Sequence, residues 1–425
     1  MLDIKFIREN SEIVKQGIKN KNAKDTVDDI LRLDKQKREL LQQVEELKAT
    51  RNKVSQEVGR LKKAGEPAEE IIAEMKEVGE KIKSLDEEIR NIDKDLKDFL
   101  MWVPNLPHKS VPIGKSEADN VEVKRWLPEG FNFEQETKPL DHIELGKKLN
   151  ILDFERGAKI TGSGFPVYVG KGATLERALI NYMLDLHINT HGYKEIFPPF
   201  LVNRDSMLGT GQLPKMAEDM YHCEKDDLFP IPTAEVPITN LHRNEMLSEE
   251  ELPIQYVGFS SCFRREAGSY GKDSKGFLRV HQFNKVEMVK LVKPETSYEE
   301  LDKIVSNAED ILIALKIPYR ILLLSTGDLS FAAAKCFDIE TWSPAENKWL
   351  EASSCSNFED FQARRAKIRY KGKESKKPQF VHTLNGSGLA TSRLMVSILE
   401  NYQTPEGKII VPKELQKYTG FKIID

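Results

Sequence analysis

The stretch that decides the fold is FRREAGSYGKDSKGFLRVHQFNKVEM, from Phe263 to Met288. Two arginines and a glutamate open it, and FLRVHQFNKVEM at its end is typical of a strand that ends on Glu287. Guanidinium groups bind phosphate or carboxylate through paired hydrogen bonds, and Glu266 could accept one from an exocyclic amino group. Phe283 and Glu287 are an even number of residues apart, so on a strand they share a face. The alternative is an ordinary surface hairpin.

The segment between the two halves of this stretch, residues 268–276, is polar and rich in glycine. Such a composition is unsuited to a core, because it offers little apolar surface to bury and leaves the backbone many conformations. We therefore expect this loop to be mobile when no ligand is bound.

Two further stretches place oxygen-bearing side chains close together. IPTAEVPITNL, residues 231–241, sets Thr233 and Glu235 between prolines in an irregular turn. EASSCSNFEDFQARR, which begins at Glu351, sets that glutamate and Ser354 at the end of a strand-like run. Magnesium favours carboxylate, hydroxyl and phosphate oxygens, so the second pair is a candidate metal–phosphate site. The alternative for each stretch is a helix cap or a loop.

A fourth stretch, HTLNGSGLATSRLMVSILENY at residues 382–402, is predicted to be a Gly-Ser-Gly turn that enters a helix. Glycines let the backbone approach a ligand closely, and Arg393 would direct a guanidinium group at that ligand. Each stretch has an ordinary structural explanation when it is taken alone, but together they indicate a ligand site. Neither a P-loop nor a G-x-G-x-x-G pattern is present, so a nucleotide would be bound by another architecture.

The composition indicates a soluble globular protein of two or three domains. The chain has 425 residues, of which 39% are hydrophobic and 31% charged, and its net charge is -4. That charge does not predict a nucleic-acid or membrane-surface protein, although a local patch can be hidden in an average. The four cysteines form no C-x-x-C pair, and no apolar run could span a bilayer. We expect a cytoplasmic protein with reduced thiols.

Residues 28–100 carry two heptad patterns separated by KKAGEP, residues 62–67. Apolar residues spaced alternately three and four apart indicate coiled-coil helices, and Gly65 and Pro67 supply a helix stop and a helix start. Two evenly matched helices and a short turn predict an antiparallel hairpin, with a dimerisation coiled coil as the alternative. The seam residues are Ile30, Leu33, Lys37, Leu40, Val44, Leu47, Arg51, Val54, Val58 and Leu61, then Ile71, Met75, Val78, Ile82, Leu85, Ile89, Ile92 and Leu96.

Charge is distributed unevenly over these two helices. The first is rich in lysine and arginine, among them Lys48, Lys53 and Arg60, whereas acidic residues dominate the second. One explanation is ion pairing between the helices, and the other is a basic strip offered to a polyanion. The charge pattern alone favours ion pairing.

The predicted domains are a helical arm at 1–104, a linker at 105–120 and a body at 121–425. The linker is rich in proline and has no helical period. In the body, strand-like runs such as PIQYVGFSSCF (253–263) and helical segments such as SYEELDKIVSNAEDILIALK (297–316) follow no strict βαβ rhythm. This predicts an α+β body built on an antiparallel sheet flanked by helices.

Together these residues resemble the class II aminoacyl-tRNA synthetases, and specifically the bacterial type of the seryl-tRNA synthetase family. LERALINYMLDLHINTHGYKEIFPP (175–199) resembles motif 1, FRRE with FLRVHQFNKVEM resembles motif 2, and GSGLATSRLMVSILE (386–400) resembles motif 3. TAE at 233–235 and the N-terminal hairpin narrow the resemblance to the seryl family. It covers the whole chain.

The resemblance implies an ATP site and a serine site. Arg264 would hold the α-phosphate, Glu266 the adenine amino group and Arg393 the γ-phosphate side, and these three would be the catalytic residues. Phe283 would stack on adenine. The implied ATP set is Arg264, Arg265, Glu266, Phe283, Glu351, Ala352, Ser353, Ser354 and Arg393; the implied serine set is Thr233, Ala234, Glu235, Arg264, Glu287 and Ser387.

The resemblance also implies partners and cofactors. The chain would activate L-serine with ATP and transfer it to tRNA-Ser, and also to tRNA-Sec, as a homodimer. Magnesium, held by Glu351 and Ser354, would accompany ATP, and no zinc is expected. The arm would contact the long variable arm of tRNA-Ser through Lys48, Lys53 and Arg60.

Two alternatives remain at this point. One is a class II-like ligase that activates a small amino acid for an acceptor other than tRNA; such relatives lack this arm. The other is a coiled-coil interaction protein without enzymatic activity, which would leave FRRE, EASS and the Gly-Ser-Gly segment without a role.

Overall fold

A computed structural model describes residues 1–134, 138–267, 275–373 and 377–425. Within these ranges the chain divides into two compact units, Met1–Pro104 and Asn105–Asp425. Most of the loop for which mobility was predicted, residues 268–276, lies outside the described residues. Residues 105–120, predicted as a linker, are hydrogen bonded within the second unit: the Asn105 side chain, for example, donates to the carbonyl oxygens of Ala332 and Phe358.

The first unit is helical and ends in a long hairpin. Gly65 ends the first long helix with a φ of 74°, a left-handed conformation that glycine adopts without strain. Ion pairs join Lys37 to Asp93 and Lys48 to Asp86. The partner number falls as the first number rises, so the two long helices are antiparallel, which confirms the predicted hairpin. The helices are α1 (Ile4–Glu9), α2 (Ser11–Asn20), α3 (Val27–Ala64) and α4 (Glu69–Met101).

Burial along the predicted seam changes with position in the hairpin. Ile30, Leu40 and Val44 of α3 are buried, as are Ile82 and Leu96 of α4. Toward the turn, the seam residues are only half-buried, among them Leu47, Val54, Val58, Leu61, Ile71 and Met75. Two helices alone cannot enclose a seam on all sides, so the turn end of the arm depends more on helix propensity than on core packing.

The second unit is built on a sheet of eight described strands. Its order is β1-β10-β11-β12-β15-β9-β8-β4, and all neighbours are antiparallel except β4 and β8. The strands are β1 (Val121–Trp126), β4 (Lys194–Glu195), β8 (Ile254–Phe263), β9 (Gln282–Val292), β10 (Tyr319–Leu323), β11 (Lys335–Ser343), β12 (Lys348–Asn357) and β15 (His382–Ala390).

Helices and short strands complete this unit, which confirms the predicted α+β class. The helices are α5 (His142–Lys148), α6 (Phe154–Ile160), α7 (Lys171–Asn189), α8 (Arg204–Thr210), α9 (Glu235–Asn240), α10 (Ser297–Ala314), α11 (Phe361–Ala366), α12 (Thr391–Asn401) and α13 (Gln416–Thr419). The short strands are β2 (Leu152–Asp153), β3 (Val167–Tyr168), β5 (Leu201–Asn203), β6 (Leu228–Pro230), β7 (Met246–Ser248), β13 (Arg369–Lys371), β14 (Gln379–Phe380), β16 (Ile409–Ile410) and β17 (Ile423–Ile424).

The large core lies between this sheet and helices α7, α10 and α12. Each of these helices presents an apolar face to the strands, and the fully buried Leu179, Ile304 and Leu394 are examples. The sheet is therefore a rigid base for side chains on its other face. Among the described residues, no helix is long and apolar enough to cross a membrane.

Three local predictions were wrong. The strand after the FRRE loop begins at Gln282, not at the FLRV segment, and runs past Glu287 to Val292. Glu351 and Ser354 lie within β12 rather than at a strand end. The Gly-Ser-Gly segment is not a turn: it lies in β15, because neighbours on both sides complete its backbone hydrogen bonds. A Cβ on Gly386 would lie 2.2 Å from Ile304, so the glycine serves close packing there.

Candidate active site

A cavity of about 400 Å³ lies in the second unit. Its walls come from β9, β12 and β15, from the start of α12, and from the segments that flank the loop between β8 and β9. The lining includes Thr233, Glu235, Arg264, Glu266, Phe283, Glu351, Ala352, Ser353, Ser354, Ser387 and Arg393. Most of the residues predicted for ATP and serine therefore meet in one place.

One end of the cavity has an aromatic face beside a guanidinium group. The Arg264 guanidinium carbon lies 5.2 Å from the centre of the Phe283 ring, and its Nε donates to the Pro232 carbonyl at 3.3 Å. The Arg264 and His281 backbones are joined as well, since Arg264 N–H donates to His281 O at 2.9 Å. A flat ring and a bidentate donor at this spacing suit a nucleobase next to a phosphate.

The other two charged residues of FRRE, Arg265 and Glu266, have different surroundings. Glu266 lines the cavity, adopts a φ of 50° and accepts a 3.0 Å hydrogen bond from Arg279 Nη1. Arg265 is exposed and is not among the described residues of the lining, and its backbone N–H donates to Asp219 O at 2.8 Å. The two arginines that the sequence placed together therefore point to different surroundings.

Arg393, near the start of α12, also lines the cavity. Its Nη1 lies 2.8 Å from the Glu351 carbonyl oxygen and 3.3 Å from Glu351 Oε2, and its Nε donates to Leu278 O at 3.1 Å. These contacts fix the guanidinium plane while Glu351 remains about half exposed at 48%. A pre-positioned cation beside an accessible carboxylate can receive a polyphosphate and its counter-ion together.

Ser354 lies next to a second carboxylate. It pairs with Asp338 across β11 and β12, and its Oγ is 3.1 Å from Cys336 Sγ. Burial, and then the negative charge of Glu351, raises the pKa of Asp338 well above its usual value. Two mutually repelling carboxylates and a hydroxyl form a donor set that a divalent cation would stabilise. In the described part of the chain, no cluster of three or more histidine, cysteine, aspartate or glutamate side chains could hold a metal ion.

The other end of the cavity is acidic and deep. Glu287, on β9, and Ala234 are both fully buried, and neither lines the cavity. Glu287 accepts hydrogen bonds from Thr233 Oγ1 at 3.1 Å and Asn385 Nδ2 at 3.0 Å, and it forms an ion pair with Lys285. Asn385 Nδ2 also donates to Glu235 Oε2 at 3.0 Å, so one amide group holds both carboxylates.

Burial, and then the charge of Glu287, raises the pKa of Glu235 to about 7. A 2.6 Å hydrogen bond from Gln362 Nε2 acts in the opposite direction, since it favours the ionised form. A cation bound beside Glu235 would therefore favour the ionised form of this carboxylate. A small ligand with an ammonium group and a hydroxyl would fit these donors and acceptors.

Two family models match the chain. The "Seryl-tRNA synthetase N-terminal domain" matches residues 1–107, and the "tRNA synthetase class II core domain (G, H, P, S and T)" matches residues 220–402. The curated serine–tRNA ligase of Chloroherpeton thalassium is 60% identical over 430 aligned residues, which cover 100% of both chains. The chain belongs to the seryl-tRNA synthetase family. The serine–tRNA ligase of Chlorobium phaeobacteroides strain BS1 is 59% identical, again over the full length of both.

Solved structures of seryl-tRNA synthetases share this architecture. The enzyme from Pyrococcus horikoshii, described as complexed with ATP, superposes with a TM-score of 0.94 at 42% identity and covers 100% of this chain and 99% of its own. The cytoplasmic enzyme from Naegleria fowleri, in complex with AMP, gives 0.89 at 33% identity, with the same coverage. The family assignment made from the sequence is therefore confirmed.

The cavity of this seryl-tRNA synthetase family member is also shaped by residues, in its lining or in contact with it, that the sequence did not single out. Asn385 and Gln362 hold the acidic end, Arg279 contacts Glu266, and Asp338 stands beside Ser354. Asn385 directly precedes the Gly-Ser-Gly segment, so the motif itself carried a signal for it. Gln362 lies within the quoted stretch EASSCSNFEDFQARR, although the prediction stopped at Glu351 and Ser354, and Asp338 lies in none of the quoted stretches.

On the arm, the three predicted tRNA-contacting residues differ in their surroundings. Lys48 Nζ is 3.4 Å from Asp86 Oδ2 of the other helix, with both side chains 44% exposed. Lys53 is exposed, and Arg60 is exposed with a 3.8 Å contact to Glu57 of its own helix. Ion pairing between the helices therefore accounts for Lys48 in part, while Lys53 and Arg60 face solvent.

Proposed function

We propose that the chain activates L-serine with ATP to form seryl-adenylate and transfers the seryl group to tRNA-Ser. The observation that carries this proposal is the two-ended cavity, with cationic and metal-binding groups at one end and an acidic, hydroxyl-lined pocket at the other. This arrangement suits two substrates that react where the ends meet, and membership of the seryl-tRNA synthetase family identifies them.

The cationic end acts on the phosphates. A carboxylate oxygen of serine attacks the α-phosphorus of ATP, a new P–O bond forms, and the bond to pyrophosphate breaks. Negative charge develops on the phosphoryl oxygens, and Arg264 stabilises it at the α-phosphate. Arg393 holds the γ-phosphate side, where its guanidinium is already fixed by Glu351 and Leu278. Arg264, Glu266 and Arg393 are the proposed catalytic residues.

Glu351 and Ser354 would hold a Mg²⁺ ion together with ATP, and Asp338 beside Ser354 would support them. Held by these residues, such an ion would supply positive charge next to the phosphates. Ala352 and Ser353 lie between these two residues on β12 and also line the cavity. Phe283 stacks on the adenine, and Glu266 accepts from its amino group.

The acidic end selects serine. Glu287, buried behind the lining and paired with Lys285, would supply negative charge that attracts the substrate ammonium. Thr233, Glu235 and Ser387 line the pocket and would pair with the hydroxyl. Alanine would leave these groups without partners, at a cost of about 1–3 kcal/mol for each group. Threonine adds one methyl group, and steric exclusion of a methyl group is the weaker form of discrimination.

The arm receives tRNA-Ser. Lys53 and Arg60 are exposed cations near the turn end of α3, and with Lys48 they offer a strip for phosphate contacts along the long variable arm. We further propose that the chain acts as a homodimer in the cytoplasm and also charges tRNA-Sec.

Aminoacylation with labelled serine tests the whole reaction. Formation of acid-precipitable seryl-tRNA from tRNA-Ser transcripts, and none from a transcript without the long variable arm, is the expected result. Adenylate formation without any transfer to tRNA-Ser would instead favour a ligase with another acceptor.

A further inference from the structure

His142 is a fully buried histidine that no sequence motif singled out. It opens α5, and its backbone N–H and its Nδ1 lie 3.2 and 3.0 Å from Glu400 Oε1. Its Nε2 lies 3.1 Å from the backbone nitrogen of Phe277. A backbone N–H can only donate, so Nε2 is the acceptor and carries no proton. The ring is therefore neutral, and its Nδ1–H donates to Glu400.

Glu400 is itself held on every side. It is fully buried in the last turn of α12, and its second oxygen accepts from the Ser343 hydroxyl and from Ala345 N–H, the latter at 3.3 Å. A buried carboxylate with several hydrogen bonds cannot move without leaving donors unpaired. The pair His142–Glu400 therefore forms a fixed link between α5 and α12.

This link ends on the wall of the cavity. Phe277 and Leu278 line the cavity where the chain returns from the loop between β8 and β9. Arg393 donates to Leu278 O at 3.1 Å, and Glu400 reaches Phe277 through His142. Arg393 and Glu400 are seven residues apart on α12, which is about two helical turns, so they lie on the same face of that helix. The helix thus holds this wall at two points.

The His142 ring is closely packed on both sides. Gly276 has a φ of 57°, and a Cβ at that position would lie 2.1 Å from His142 Nε2. On the far side, the Phe277 ring stacks at 6.0 Å from the His142 ring and at 5.2 Å from that of Tyr168. The end of the loop can reach this position only because residue 276 lacks a side chain and residue 142 offers an acceptor.

We propose that His142, oriented by Glu400, is a positioning residue for ATP: it fixes the returning end of the motif 2 loop against α12 and so sets the distance between Arg264 and Arg393 across the cavity. This inference rests on the proposed function, since it assigns ATP to that cavity. Neither residue touches the substrate. His142 and Glu400 instead fix the position of the cavity wall that contains Leu278, whose carbonyl oxygen accepts a hydrogen bond from Arg393.

Two amide variants separate the two hydrogen bonds of the ring. In His142→Asn the amide nitrogen can replace Nδ1 as donor to Glu400, but nothing reaches Phe277 N–H. In His142→Gln the longer side chain can place its carbonyl oxygen near the position of Nε2 and accept from Phe277. Serine-dependent ATP–pyrophosphate exchange gives KM for ATP and for serine separately, and hydrogen exchange of the peptide 277–281 reports the wall without any need for activity.

We expect His142→Asn to raise KM for ATP about five- to tenfold, the effect of one lost buried hydrogen bond, with KM for serine within about twofold of wild type. Hydrogen exchange of the peptide 277–281 should be faster in this variant than in wild type. His142→Gln should restore both the KM for ATP and the rate of hydrogen exchange. Equal KM values for ATP in the Asn variant and wild type would overturn the inference. So would equal losses in the Asn and Gln variants, because a general packing role makes no distinction between them.

A third variant approaches the contact from the other side and leaves the buried histidine in place. Gly276→Ala pushes the loop end away from His142 and should also raise KM for ATP, even where a His142 variant fails to fold. An unchanged KM for ATP in Gly276→Ala contradicts the inference. A wild-type enzyme without serine-dependent exchange would instead contradict the proposed function, so the two failures are distinguishable.

Discussion

Glu235 and Glu287 converge on a single amide group, because Asn385 Nδ2 donates to one carboxylate oxygen of each at 3.0 Å. Two carboxylates this close repel each other, and the repulsion adds to the effect of burial on Glu235. The arrangement favours positive charge beside the two carboxylates, and Lys285, which pairs with Glu287, supplies part of it. A serine ammonium group would relieve the repulsion, which gives the pocket a defined dependence on pH.

We predict that kcat/KM for serine in ATP–pyrophosphate exchange rises with pH up to about 7 and then levels off. The pKa of Glu235 is raised to about 7 by burial and by Glu287, so Glu235 is protonated below that pH. Serine binding favours the ionised form and must release this proton, which weakens binding as the pH falls.

The matched control is Glu235→Gln, which cannot titrate. Its profile between pH 5.5 and 8 should be flat, at a lower value of kcat/KM throughout. A wild-type profile that is flat over the same range would show that Glu235 does not govern serine binding.

Arg264→Lys should lower kcat/KM for ATP about a hundredfold. Lysine keeps the charge but loses both the bidentate geometry and the planar contact with Phe283, which lies 5.2 Å from the guanidinium carbon. Initial rates at varied ATP and saturating serine measure the effect.

Arg204→Lys is the control for that substitution, because Arg204 stands over Phe229 at a similar 5.1 Å but is not part of the cavity lining. We expect its kinetics to match those of wild type. Equal losses in the two variants would mean that the arginine–aromatic contact matters for folding rather than for ATP.

Glu351→Gln should raise the free Mg²⁺ concentration needed for half-maximal exchange by about tenfold or more, because it removes the accessible carboxylate that we propose as a metal ligand. A titration of Mg²⁺ at fixed ATP measures this midpoint. Glu346→Gln, an exposed change in the same β11–β12 hairpin, serves as the control. A midpoint that stays the same in Glu351→Gln would remove Glu351 from the metal site.

Neutralising Lys48, Lys53 and Arg60 together should weaken tRNA-Ser binding and flatten its salt dependence, while ATP–pyrophosphate exchange stays unchanged. Each lost phosphate contact reduces the slope of log affinity against log salt by somewhat less than one. Filter binding at several salt concentrations gives both quantities.

A triple substitution of Lys5, Lys19 and Lys24, exposed lysines elsewhere in the first unit, removes the same charge and is the control. If both triple variants bind tRNA-Ser equally well, the strip on α3 is not the contact surface.

Much of this could be predicted from the sequence, because it follows from local patterns. Heptads need only the spacing of residues such as Ile30, Leu33 and Leu40, and Gly65 marks a helix end by its own conformational freedom. The chemistry of the motif residues likewise follows from the residue type alone: an arginine can bind phosphate and a glutamate can bind a cation wherever they lie. This is why the hairpin and the α+β body were predicted correctly, and why most of the residues predicted for ATP and serine line one cavity.

What the sequence could not give depends on neighbours that are distant along the chain. The Gly-Ser-Gly segment is a strand because β9 and β12 flank it. Gly386 cannot carry a side chain there, because Ile304 of α10 packs against it. Gln362 reaches Glu235 from α11, and Asp338 reaches Ser354 across two strands. Such residues have unremarkable sequence contexts, so only tertiary contact reveals their role.

The most direct test of the central claim is ATP–pyrophosphate exchange without tRNA, with serine, threonine, alanine, cysteine and glycine in parallel. If the acidic end of the cavity binds serine as argued, serine alone supports rapid exchange, with threonine far behind. Rapid exchange with another of these amino acids, or none with serine in the folded enzyme, would contradict the assignment of Thr233, Glu235 and Glu287.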